Sequence, residues 1–225
     1  MKILVVGMGL IGGSICKSIK ATTTHTVDGC DVQPEVLEQA LQDGAIDGTG
    51  RMEDGTYDMV ILCLHQRIAI QMVQEALPHM QAGTILVDTC GLKGRMVRDL
   101  TYRCRKHGVR YVGTHPMAGR EKSGYYASIP DLFLRANLIV TPVDDTDPEA
   151  LETVTALARE MGFGKIVTAT PMWHDNMIAY TSQLAHVVSS SYVKDFCMDD
   201  ALSFSGGSFQ DMTRAVSYTH LTLPT

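Results

Sequence analysis

The chain opens on Ile3-Leu4-Val5-Val6, an apolar run suited to a strand, followed at once by Gly7-Met8-Gly9-Leu10-Ile11-Gly12 and a stretch with helical patterning over residues 13–20. No other feature constrains the fold as strongly. In such a strand, turn and helix the first glycine permits the tight turn, the second lets backbone approach a pyrophosphate, and the third lets helix and strand pack closely. The helix N-terminus then offers unpaired N–H groups to the anion. Gly7, Gly9 and Gly12 stand in those places, with Leu10 and Ile11 between them. A second strand ends at Gly29-Cys30-Asp31, which puts an acid about 20 residues further on, where the dinucleotide fingerprint expects one. Asp31 can accept from both ribose hydroxyls and would repel a 2′-phosphate, which favours NAD over NADP as cofactor. Two competing readings are a glycine-rich turn in a nucleotide-free α/β domain, with Asp31 merely solvated, and an FAD site, which usually needs a longer chain.

Further strands are expected at residues 59–64, 84–87, 110–114, 138–141 and 166–168, separated by helix-like stretches. The runs at 59–64 and 84–87 are apolar without polar alternation, as strands covered on both faces require. The fold class is therefore α/β, a Rossmann-type doubly wound, mostly parallel sheet. Leu64, at the end of one such run, joins Gly7, Gly9, Leu10, Ile11, Gly12 and Asp31 as an expected cofactor contact. Pro34 opens a helix over 35–42, Asp147-Pro148-Glu149 opens another reaching Met161, and Gly162 stands where a left-handed cap would. The connection 116–137 breaks the alternation, and long ordered connections are often functional. Past Thr168 the pattern becomes helical over 171–196. The expected organisation is a nucleotide-binding domain at 1–168 and the start of a smaller all-helical domain at 169–216, C-terminally truncated. Residues 217–225 lack helical periodicity and are expected to be a non-native tail.

Composition narrows the partners. A net charge of −6 with no Lys/Arg run argues against nucleic acid. The N-terminal apolar run breaks into glycines too early for a signal or membrane span, so a cytoplasmic location is expected. The six cysteines include no CxxC pair, so they are read as reduced and mostly structural, and no metal site is expected.

A second polar group follows the strand at 110–114: His115-Pro116-Met117-Ala118-Gly119-Arg120-Glu121-Lys122-Ser123-Gly124. Ligands of open α/β sheets bind outside the carboxyl ends of strands, so His115 is placed to face a nicotinamide. With an unperturbed pKa of about 6.5, histidine suits the base that alcohol oxidation needs. A histidine that only hydrogen-bonds its loop is the competing reading.

These residues resemble the HPxAGxEKSG signature of the prephenate and arogenate dehydrogenase family. Three other segments are similar to the family's patterns: Gly7 through Ser14 to GxGLIGGS, Trp173-His174-Asp175 through His186 to its HDxxxxxxSHLPH helix, and Gly206 through Arg214 to GGxFxDxTR. The resemblance implies NAD-dependent oxidative decarboxylation of prephenate to 4-hydroxyphenylpyruvate in tyrosine biosynthesis, by a homodimer. It makes His115 the histidine that hydrogen-bonds or deprotonates the 4-hydroxyl, and Arg214 the arginine on a substrate carboxylate. Glu121 and Asp211 match acids that gate the pocket, and Ser123 joins them in the substrate loop. His174 and His186 match histidines of the long helix. Twelve residues of helix span about 18 Å, so one small substrate cannot touch both closely. His186 is assigned the substrate contact, and His174 either a role at the helix N-terminus or a direct one.

Departures from the family pattern are informative. Gly91 stands where DxGSxK has serine, so a hydrogen bond from that serine to His115 is missing or comes from Thr89. Ala185 replaces a proline, which predicts a straighter helix. Arogenate, another small-substrate NAD(P) dehydrogenase, and an inactive NAD-binding fragment are the alternatives for function.

Overall fold

A computed structural model describes residues 1–193 and 206–208. It divides into two compact units, Met1–His174 and Asp175–Thr225. The first is built on eight strands: β1 (Lys2–Val6), β2 (Thr26–Cys30), β3 (Gly48–Thr49), β4 (Met59–Leu62), β5 (Ile85–Asp88), β6 (Arg110–Pro116), β7 (Asn137–Val140) and β8 (Lys165–Thr168). Their order in the sheet is β3-β2-β1-β4-β5-β6-β7-β8. All neighbours are parallel except β6 and β7, which pair antiparallel. The chain thus leaves β1 toward β2 on one side and returns to β4 on the other, making a switch point between β1 and β4.

Apolar runs without alternation become central strands because both faces are covered. Ile3, Val5, Met59, Ile61, Ile85 and Val87 pack on one face with Ile15 and Ile19 of α1 (Leu10–Thr22) and Val154 and Leu157 of α5 (Pro148–Glu160). Leu4, Val6, Val60, Leu62 and Leu86 face the other way, against Ile70 and Val73 of α3 (Gln66–Ala76) and Met96 and Leu100 of α4 (Gly94–Lys106). Each such buried side chain contributes about 1.5–3 kcal/mol through removal from water. Helix α2 (Pro34–Gln42) starts at its proline as expected. Helix α5 starts at Pro148 behind Asp147, whose carboxylate accepts from Ala150 N at 2.8 Å, and ends before Gly162 at φ +85°.

Some boundaries differ from expectation. Helix α1 begins at Leu10 and ends at Thr22, β4 stops at Leu62, and β6 runs on to Pro116, so His115 lies within a strand. Here β5 has ended at Asp88, opposite Gly113, so the missing N–H of Pro116 has no ladder partner on that side while β7 pairs on the other. The two-residue strand β3 had no signal of its own. Helix α6 (Pro171–Ile178) opens the expected helical stretch, a π turn occupies Ala179–Gln183, and α7 (Leu184–Val193) follows. The straighter helix expected from Ala185 is therefore interrupted just ahead of that residue; residues 194–196 lie outside the described part. No helix among the described residues is long and apolar enough to cross a membrane.

Candidate active site

The carboxyl edge of β1, β4, β5 and β6 carries the site. At β1 the chain turns at Gly7, φ +92°, whose N–H donates to Cys30 O at 2.8 Å. A Cβ on Gly7 would lie 2.6 Å from Cys63 O and 2.8 Å from the Leu64 side chain, so the loop after β4 packs directly on the turn. A Cβ on Gly12 would fall 1.9 Å from Gly7 O, which no adjustment short of moving backbone relieves. At Gly9, by contrast, nothing lies within 4 Å. Gly9 caps α1 without a side chain, leaving the first N–H groups of the helix to an external anion. Asp31 completes this end: one carboxylate oxygen accepts from Met8 N at 2.7 Å and the other from Gln33 N at 3.0 Å. The Cys30 thiol beside it is pushed up by burial first and then by Glu53 and Asp31, with Arg51 acting in the opposite sense. The cradle, the open Gly9 and the acid fit a dinucleotide.

The connection 116–137 folds back on α1. Ser128 and Tyr125 would lie 2.8 Å from a Cβ on Gly13, Ile129 N donates to Ser14 Oγ at 3.1 Å, and Lys17 Nζ donates to Ser128 O at 3.2 Å. Its first part stays outside this packing, with Glu121 and Ser123 both exposed.

His115 is half-buried on β6, and its Nδ1 lies 2.9 Å from Nε2 of His174, the rings meeting at 66°. His174 is 1% exposed. It does not cap its helix: Thr170 does, its hydroxyl accepting from Trp173 N at 3.2 Å and its carbonyl from His174 N at 2.9 Å. The other edge of the His115 ring looks toward Gly91, where a Cβ would lie 3.7 Å from Nε2 and 3.8 Å from Cε1. The Thr89 hydroxyl donates to Leu62 O at 3.0 Å, so the role foreseen for it as a substitute for the missing serine gives way to tying the β5 loop to β4.

Sequence reasoning missed the support beneath His115. Lys93 and Asp88 form an ion pair with both side chains wholly buried, and Lys93 Nζ also donates to Thr114 O. Asp88 further accepts from Tyr111 OH at 2.6 Å and Cys90 N at 2.9 Å, while its carbonyl accepts from the Thr114 hydroxyl at 2.7 Å. Burial first, and then Asp88, push the Tyr111 phenol well above its usual range, so it stays a donor. The network clamps the ends of β5 and β6 and so fixes both Gly91 and His115. A lysine inside a DxxxxK spacing was the available signal.

In the second unit, His186 is exposed on α7, and Asp211 and Arg214 lie outside the described residues. No group of three or more His, Cys, Asp or Glu among the described residues is placed to hold a metal.

A glycine cradle at the switch point, an acid at the end of β2 and a histidine on the same edge define the dinucleotide-binding class of α/β protein. The chain belongs to the prephenate dehydrogenase family: residues 15–168 match its nucleotide-binding domain and residues 170–219 its dimerization domain. The glycine turn itself precedes the matched span. The chain is 31% identical to prephenate dehydrogenase of Bacillus subtilis (strain 168), over 96% of this chain and 60% of the relative, so it spans about 60% of that protein's length. Among solved structures it resembles Synechocystis arogenate dehydrogenase, with a TM-score of 0.84, 26% identity and coverage of 95% of this chain and 78% of the other. It also resembles prephenate dehydrogenase from A. aeolicus in complex with hydroxyphenyl propionate and NAD+, with a TM-score of 0.81, 30% identity and coverage of 95% and 77%.

Proposed function

We propose that this chain carries out NAD-dependent oxidative decarboxylation of prephenate to 4-hydroxyphenylpyruvate. The observation that carries the reading is His115, held through Nδ1 by a buried partner and presenting Nε2 on the same strand edge as the glycine turn. Three strand spacings separate β1 from β6, about 14 Å, a gap that a dinucleotide anchored at Gly7, Gly9 and Gly12 would cross. Bound NAD would accept the hydride from the ring carbon bearing the hydroxyl. His115 Nε2 takes the proton of that 4-hydroxyl as the carbonyl forms, and returns it to the phenolate oxygen after carbon dioxide leaves and the ring becomes aromatic.

Asp31 at the end of β2 supports NAD over NADP, since a 2′-phosphate would meet its carboxylate there. Leu10, Ile11 and Leu64 are assigned to the walls of the cofactor cleft, Arg214 to a substrate carboxylate, and Glu121, Ser123, Asp211 and His186 to the substrate mouth, on the family pattern. The A. aeolicus structure with NAD+ and hydroxyphenyl propionate supports the cofactor and the aromatic ligand class. Arogenate is the second reading, favoured by the Synechocystis likeness. For the second unit the family's dimerization domain, together with exposed Tyr180, Leu184 and Val187 at helical spacing, supports a homodimer.

Calorimetric titration with NAD alongside turnover in His115→Asn tests the assignment. The variant is expected to bind NAD unchanged and to lose at least about 100-fold in kcat. Near-normal turnover would remove His115 from the chemistry.

A further inference from the structure

We propose that His174 is a positioning residue that fixes the tautomer of His115. This rests on the base role just assigned to His115, but its geometry is independent of the substrate. The two rings meet nitrogen to nitrogen at 2.9 Å, Nδ1 of His115 on Nε2 of His174. Such a contact needs one proton between them, and only two arrangements of neutral rings supply it. If His174 donates from Nε2, His115 must carry its own proton on Nε2, and the atom beside Gly91 becomes a donor that cannot take a proton. If His115 donates from Nδ1, its Nε2 keeps a lone pair. Only the second arrangement serves a base.

Three features make His174 suited to hold that arrangement. It is 1% exposed, so its ring orientation is set by packing and solvent does not compete for Nε2. Its helix turn is anchored separately, with Thr170 accepting from Trp173 N and His174 N, which frees the ring from capping. On the opposite edge of His115, a Cβ at position 91 would lie 3.7 Å from Nε2, and glycine there brings no hydroxyl of its own to that atom. A family pattern with serine at position 91 would have a hydroxyl able to act on Nε2 directly. Here the tautomer is controlled from the Nδ1 side, much as a buried acceptor orients a catalytic imidazole in hydrolase triads, where losing the right tautomer costs orders of magnitude in rate.

The test is 15N NMR of the histidine side chains in the full-length protein, near pH 8.5 and without substrate, with His115→Asn identifying the His115 signals among the eight histidines. The wild type is expected to show neutral His115 protonated on Nδ1. His174→Gln, whose amide oxygen can accept in place of Nε2, should retain that state. His174→Phe should shift it toward the Nε2-protonated form, with kcat about 10-fold to 100-fold lower and NAD affinity unchanged, while His174→Gln recovers most of the rate. Nε2-protonated His115 in the wild type overturns the proposal, as does an unchanged tautomer in a folded His174→Phe protein. Should His174→Phe fail to fold, the wild-type and His174→Gln tautomers decide alone. Absence of turnover with every substrate would count against the proposed reaction and leave the tautomer result standing.

Discussion

Replacing Lys93 by methionine isolates the network that holds the strand bearing His115. Lys93 and Asp88 are both wholly buried, and removing one partner of such a pair strands the other charge, at a cost of about 3–5 kcal/mol. Asp88 keeps two compensating donors, Tyr111 OH and Cys90 N–H, which puts the expected loss near the lower end, about 3 kcal/mol. For a domain of this size each kcal/mol moves the midpoint by roughly 2–4 °C, so Lys93→Met should lower Tm by about 6–12 °C in calorimetry. Adding Asp88→Asn removes the stranded charge, and the double variant should recover more than half of the loss. Activity at a temperature where Lys93→Met is folded should also fall, because Thr114 O loses its donor one residue before His115. A loss under about 1 kcal/mol, or a double variant no more stable than additive singles, would refute the clamp.

Other consequences follow from the same geometry. Asp31→Ala should weaken NAD and narrow the preference over NADP, read by calorimetry with both nucleotides; an unchanged ratio would show that the carboxylate does not reach the ribose. Gly12→Ala puts a methyl 1.9 Å from Gly7 O, so NAD binding should be lost and stability reduced by at least about 1–3 kcal/mol; ordinary binding would mean the turn is not a nucleotide cradle. Burial pushes the thiols of Cys63, Cys90 and Cys104 up to about 12, so iodoacetamide at pH 8 should label them only after denaturation. Unfolded thiols titrate near about 8.5, so the stability these protonated groups contribute is full below that pH and is lost as pH rises toward 12. Denaturant midpoints that do not fall between pH 8.5 and 11 would contradict that linkage.

The sheet was legible because its strands carry their burial in their composition: Met59 through Leu62 and Ile85 through Val87 have no polar side to expose. The glycine turn was legible because only glycine fits at positions 7 and 12. What escaped depends on partners distant in sequence. Lysine reads as a surface residue, and the DxxxxK spacing that sets Lys93 near Asp88 carries no sign that Thr114 O, 21 positions on, will help enclose it. His174 meets a ring 59 positions away, so its helical spacing to His186 said nothing about its neighbour. Proline at 116 looked like the end of a strand, yet pairing with β7 on one side alone lets β6 continue through it. The π turn at Ala179–Gln183 carries no proline or glycine to mark it.

The proposed reaction is read out by NADH absorbance when the purified protein is given NAD and either prephenate or arogenate. NADH formation dependent on prephenate, and abolished in His115→Asn, is the expected result. Formation dependent on arogenate alone, or none with either compound from protein that binds NAD, would contradict it.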